Sequence, residues 1–80
     1  MTKEEKRIYV ESLMTDTINL LYNMGLTDLV NFKRILNLTM TEVEQYGDCF
    51  LEFSDKYEKL KKVQKYLSRG NYEKVLNRDW

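Results

Sequence analysis

The stretch VEQYGDCFLEFSDKYEKLKKVQKYL, residues 43–67, decides how this chain is read. Within it Val43, Tyr46, Phe50, Phe53, Tyr57, Leu60, Gln64 and Leu67 recur at alternating spacings of three and four, the repeat that places side chains on one face of an α-helix. The register predicts one long helix over about 41–69. At about 1.5 Å per residue it would cross a whole small domain, with the shorter segments packed along it. Gly47 lies inside the seam. The apolar register crosses it without a change of phase, which favours a continuous helix costing about 1 kcal/mol relative to alanine; the alternative is a break with Asp48 capping the second piece. Flanking positions hold Gly47, Cys49, Ser54, Lys56, Lys61, Val63 and Ser68 rather than alternating Glu and Lys, so the seam belongs inside a bundle and not in a free coiled coil. Gln64, polar within the apolar line, marks the end of the core or a point where register is set.

Outward from this stretch, Thr2 with Glu5 three residues later fits a capping box, so a first helix starts at Lys3. Val10, Leu13, Met14, Thr17, Leu20, Leu21 and Met24 give it a broad inward face. Gly25 is expected to end it in a left-handed turn, with Leu26 folding back on Leu21. Thr27 can cap a second helix through about Leu36, with Leu29, Phe32, Ile35 and Leu36 inward. Asn37 to Thr39 reads as a tight connection, because Thr39 with Glu42 and Thr41 with Glu44 offer two overlapping capping boxes for the next helix. Gly70 stops the long helix, and Asn71 can cap a short last one from Tyr72 to about Arg78. The expected fold is all-α: a single domain over 1–80 with three main helices and a short C-terminal fourth.

Composition narrows the chemistry. There is no histidine, which removes the most common general base and the usual base of nucleophilic triads. Cys49 is the only cysteine, so neither a disulfide framework nor an ordinary zinc site is expected, and it reads as a small buried hydrophobe. The glycines at 25, 47 and 70 are too dispersed for a phosphate-binding loop. No enzyme activity, cofactor or metal is therefore expected. No apolar run approaches the roughly 18 residues that span a bilayer, and the lone cysteine suits a reducing compartment, so the expectation is a cytoplasmic protein. Alanine and proline are absent while Lys, Glu, Asn, Tyr and Leu abound, a bias of AT-rich genomes that fits a phage or mobile-element origin.

Charge is zero overall and strongly segregated. From Glu42 to Glu58 six acids stand against one base, and from Lys59 to Arg78 seven bases against one acid. Glu44, Asp48, Glu52 and Asp55 fall on one outer face of the expected long helix, and Lys62, Lys65 and Arg69 crowd its C-terminal turns, an arrangement that also suits the helix dipole. Two copies laid antiparallel would match acidic to basic ends, with Leu51 and Tyr66 supplying an apolar centre, so a homodimer is expected. Helix two, its connection and the start of helix three can be read as a helix-turn-helix, but the would-be recognition helix opens with Glu42, Glu44 and Asp48, which phosphate repels. Nucleic acid is the weaker reading. The stronger is a protein-interaction module that regulates or inhibits a larger partner, with Glu44, Asp48, Leu51, Glu52, Asp55, Lys62, Lys65, Tyr66, Arg69 and Trp80 as contact residues and Tyr22 as an outward aromatic beside them. Trp80 either folds back as a lid on the core or projects as an anchor.

Overall fold

The computed structural model describes residues 2–47 and 54–80, with the side chains of residues 26, 27 and 47 left out. Among the described residues the chain forms four α-helices and no strand: α1 (Lys3–Tyr22), α2 (Leu26–Gly47), α3 (Asp55–Ser68) and the short α4 (Tyr72–Leu76). The all-α class, with three main helices and a short fourth, is as expected. The boundaries are not.

α1 starts where the sequence places it. The Thr2 hydroxyl accepts from the Glu5 amide at 3.1 Å, and the Thr2 amide donates to the Glu5 carboxylate at 3.4 Å, a reciprocal cap that satisfies two otherwise orphaned donors. Val10, Met14, Thr17 and Leu21 are buried on one face, with the Thr17 hydroxyl donating to the Leu13 carbonyl at 2.7 Å so that no polar group is left unpaired. Leu20, expected inward, is exposed. The helix ends two residues before the expected stop. Asn23 is the cap, its amide and that of Met24 reaching back to the carbonyls of Leu20 and Leu21 at 3.2 Å, and Gly25 lies outside the left-handed region. Gly25 instead precedes α2 directly, its amide donating to the Asp28 carboxylate at 3.5 Å, so Thr27 sits inside the helix rather than capping it.

α2 is the long element of the fold. It runs unbroken through 37–39, where a connection is expected from sequence, and so the helix-turn-helix reading has no turn at that place. The physical reason is that Leu29, Phe32, Leu36, Met40 and Val43 keep their spacing of three and four and are all buried, so breaking the helix would take Met40 and Val43 out of the core. Thr41 does not act as an N-terminal cap. Its hydroxyl donates to the Asn37 carbonyl at 2.9 Å, the bond a threonine makes inside a helix. Ile35, expected inward, lies off this stripe and is 43% exposed.

A single helix over 41–69 is likewise corrected. α2 ends at Gly47 and α3 begins at Asp55, with Ser54 in extended conformation (φ −97°, ψ 118°) and its hydroxyl accepting from the Tyr57 amide at 3.3 Å. Ser54 is the cap that opens α3, and Asp48, the alternative cap, lies outside the described residues. The seam keeps its phase because Val43 on α2 and Leu60, Val63 and Leu67 on α3 face one shared core. Gln64 joins the two helices, its side-chain amide donating to Asn37 Oδ1 at 2.9 Å.

All four helices supply that core, α4 through Val75. The α3 ending matches expectation. Gly70 has φ +72°, its amide bonds the Leu67 carbonyl at 3.1 Å and the Asn71 amide bonds the Tyr66 carbonyl at 2.8 Å, which together form a Schellman motif. Nothing lies within 4 Å of a Cβ added at Gly70, so Gly70→Ala tests the backbone conformation alone. It should lower stability by about 1–2 kcal/mol, read as a shift in the urea midpoint at unchanged slope. Asn71 makes no side-chain cap, and α4 stops at Leu76 rather than Arg78. A second Schellman pattern follows, with Arg78 itself left-handed (φ 59°) and the Asp79 amide bonded to the Lys74 carbonyl at 3.0 Å.

Candidate functional site

The residues singled out as contacts from sequence do not form one face. Asp48, Leu51 and Glu52 lie outside the described residues. Glu44 and Asp55 stand on different helices, so the acidic stripe is not a single helical face. Glu44 is also engaged within the chain: its carboxylate accepts from Lys61 Nζ at 3.2 Å and from the Tyr57 hydroxyl at 3.2 Å. The expected antiparallel pairing rests on one continuous helix carrying the whole acidic stripe and the basic cluster, whereas Glu44 stands on α2 and Asp55 shares α3 with Lys62 and Lys65. Tyr66, expected outward, is half-buried against the core with the Lys74 ammonium 5.3 Å from its ring centroid. Trp80 folds back. Its indole donates to the Val75 carbonyl at 3.0 Å and its ring centroid lies 5.5 Å from that of Tyr22, while the Arg78 guanidinium sits 4.6 Å from the Tyr22 ring centroid. Of the two alternatives for Trp80, the structure takes the lid, and Tyr22 is its outer surface.

Two further polar contacts hold α1 against its neighbours. The Tyr9 hydroxyl donates to the Glu42 carboxylate, with the Tyr9 and Tyr46 rings edge-to-face at 5.9 Å. That hydrogen bond, helped by burial and by the Glu42 charge, raises the Tyr9 pKa above the ordinary tyrosine value. Lys56 reaches from α3 to Glu11 at 3.2 Å and to the Thr15 hydroxyl at 2.9 Å. For Tyr57, burial first and the Glu44 charge second raise the pKa, while Lys61 opposes them. These contacts orient helices, and the Lys56–Glu11 and Lys61–Glu44 ion pairs, with partly exposed side chains, are each worth only about 0–1 kcal/mol.

Of the expected contact residues, Lys62, Lys65 and Arg69 do share a surface. They line a shallow groove on the outside of α3 together with Lys61, Gln64 and Ser68, and among the described residues the only carboxylate lining it is that of Glu58. The bond between Gln64 and Asn37 joins this groove to a second one on α2, lined by Val30, Lys33, Arg34, Asn37, Leu38 and Thr41. There Val30 is 63% and Leu38 68% exposed, two turns apart with Arg34 midway between them. Sequence reasoning missed this pair because it ended the helix at Leu36. Carrying the register through 37–39 would have placed Val30, Arg34 and Leu38, each four residues from the next, on one outward line.

Among the described residues no cluster of His, Cys, Asp or Glu has the arrangement to hold a metal ion, and no helix is long and apolar enough to cross a membrane. Compared with known protein families, curated proteins and solved structures, the chain has no match in any of the three.

Proposed function

We propose that this chain is a small non-catalytic module that regulates or inhibits a larger protein by binding it, in the cytoplasm of a cell whose genome or phage is AT-rich. The observation that carries this reading is the outward pair Val30 and Leu38 on α2. Two large aliphatic side chains held this exposed on a rigid helix gain about 1.5–3 kcal/mol each when fully buried by a partner, and the ordered scaffold beneath keeps the entropic cost of docking low. Basic side chains around them supply the polar rim that interfaces have.

The test is capture of a protein partner from the native host by the tagged chain, with the double variant Val30→Asp, Leu38→Asp alongside. Capture should be lost while the melting temperature and helical circular dichroism stay nearly unchanged, because neither side chain contributes to the core. Capture that survives both changes would sink the reading. A small nucleic-acid-binding regulator is the second reading, favoured by Lys62, Lys65 and Arg69 on one exposed face. It calls for binding to duplex DNA that falls steeply with salt and is lost on Lys62→Glu, Lys65→Glu.

A further inference from the structure

The charge on the chain sums to zero, yet it is not mixed over the surface. The two grooves that meet at the Asn37–Gln64 hydrogen bond carry Lys33 and Arg34 from α2 and Lys62 and Lys65 from α3 with Arg69 at its cap, and among the described residues Glu58 is the only carboxylate lining either. Lys61, at the edge, is already paired with Glu44. The other five cations have no ion pair among the described residues. Like charges held this close repel one another, a cost that is removed when an anionic surface covers them.

We infer that this joint face receives an acidic amphipathic helix of the partner protein, which seats apolar side chains on Val30 and Leu38 and carboxylates on Lys33, Arg34, Lys62, Lys65 and Arg69. The inference rests on the protein-interaction reading above and specifies the partner's chemistry. Charge complementarity selects an acidic surface, and the apolar pair selects a polypeptide over a nucleic acid. Phosphate gains nothing from Val30 or Leu38, whereas an apolar stripe on a second helix gains from both. Eight residues of α2 separate Val30 from Leu38, about 12 Å, the distance between side chains seven or eight residues apart on a facing helix. Carboxylates flanking that stripe would face the α3 cations across the groove, and one between its apolar positions would face Arg34, midway between Val30 and Leu38.

The experiment uses the full ¹⁵N-labelled chain and a helical peptide of about 15 residues with leucines on one stripe and glutamates flanking them, beside the same peptide with lysines for glutamates and a duplex oligonucleotide. The glutamate peptide should shift amides within 30–41 and 61–69. Its affinity should fall about tenfold with Lys62→Glu, Lys65→Glu and about tenfold with Val30→Asp, Leu38→Asp, and it should weaken with added salt through screening. Absence of shifts with the glutamate peptide overturns the inference, as does equal binding of the lysine peptide. Tighter binding of the duplex, indifferent to Val30→Asp, Leu38→Asp, would make the face a nucleic-acid surface. A doubled mass by light scattering that Leu38→Asp abolishes would make the occupant a second copy. The two readings fail separately: partner capture lost with Val30→Asp, Leu38→Asp but intact with Lys62→Glu, Lys65→Glu leaves the interaction module standing and removes the acidic helix.

Discussion

Phe32→Ala will lower the stability of this domain by about 3–5 kcal/mol, because deleting a fully buried ring loses its transfer free energy and leaves a cavity that the neighbours only partly fill. Phe32 is 0% exposed and, among the described residues, is the largest of the fully buried side chains, set in the second turn of α2, a helix that packs on both α1 and α3. A chain of 80 residues has a total stability of only about 4–12 kcal/mol, so the loss is a large part of the whole. Thermal denaturation followed by circular dichroism should show either a far lower midpoint or no cooperative transition. Ile35→Ala is the matched control. Sequence periodicity puts Ile35 on the inward face with Phe32, but at 43% exposure it should cost less than about 1 kcal/mol. Equal losses at the two positions would mean that α2 is rotated to bury Ile35 as deeply as Phe32.

The contrast between Phe32 and Ile35 shows what a hydrophobic pattern can and cannot resolve. A helix of period 3.6 assigns a face to within about one residue, so Leu29, Phe32, Leu36 and Val43 are legible while Ile35 and Leu20, at the margin of the stripe, are not. Caps are legible when one residue pair satisfies backbone donors that nothing else can reach. Thr2 with Glu5 is such a pair, and so is the glycine at 70, since only a left-handed residue closes that turn at low cost. Thr39 and Thr41 are not. A threonine serves equally as an N-cap or as a helix-interior residue bonded to the carbonyl four before it, and burial of Met40, a tertiary contact, decides between the two. The break at Ser54 is hidden for the complementary reason. Phe53 and Tyr57 continue the spacing on both sides of Ser54, and a pattern of apolar positions records which side faces the core, not whether the backbone between them is helical.

The candidate surface inherits these limits. Lys62, Lys65 and Arg69 were readable as a basic cluster because three charges at helical spacing on one short helix share a face whatever else the fold does. The bonds of Glu44 within the chain are not legible, because its partners, Lys61 and Tyr57, belong to a helix that packs antiparallel beside it, and the sequence distance between them carries no hint of a contact once 43–67 is taken as straight. Val30 and Leu38 became a surface only when α2 was continuous. Their alignment therefore depends on the segment 37–39, and a test of that segment is also a test of the site.

Leu38→Pro provides it, with the second large effect expected here. Proline at this position lacks the amide that helical geometry directs to the Arg34 carbonyl, and its ring clashes with that same carbonyl, a loss of about 3 kcal/mol or more inside a helix. The side chain itself contributes nothing to the core, since Leu38 is 68% exposed, so the whole change in stability reports on the backbone. Leu38→Ala, which keeps the amide, should alter stability by less than about 0.5 kcal/mol while weakening partner capture. If 37–39 were instead a connection between two helices, proline there would be tolerated and could stabilise by about 0.4–1 kcal/mol through the unfolded chain. Urea denaturation of the three proteins separates these outcomes. A proline variant as stable as its parent would divide α2 at Leu36, take Leu38 out of line with Val30 and Arg34, and remove the face on which the proposed partner is seated.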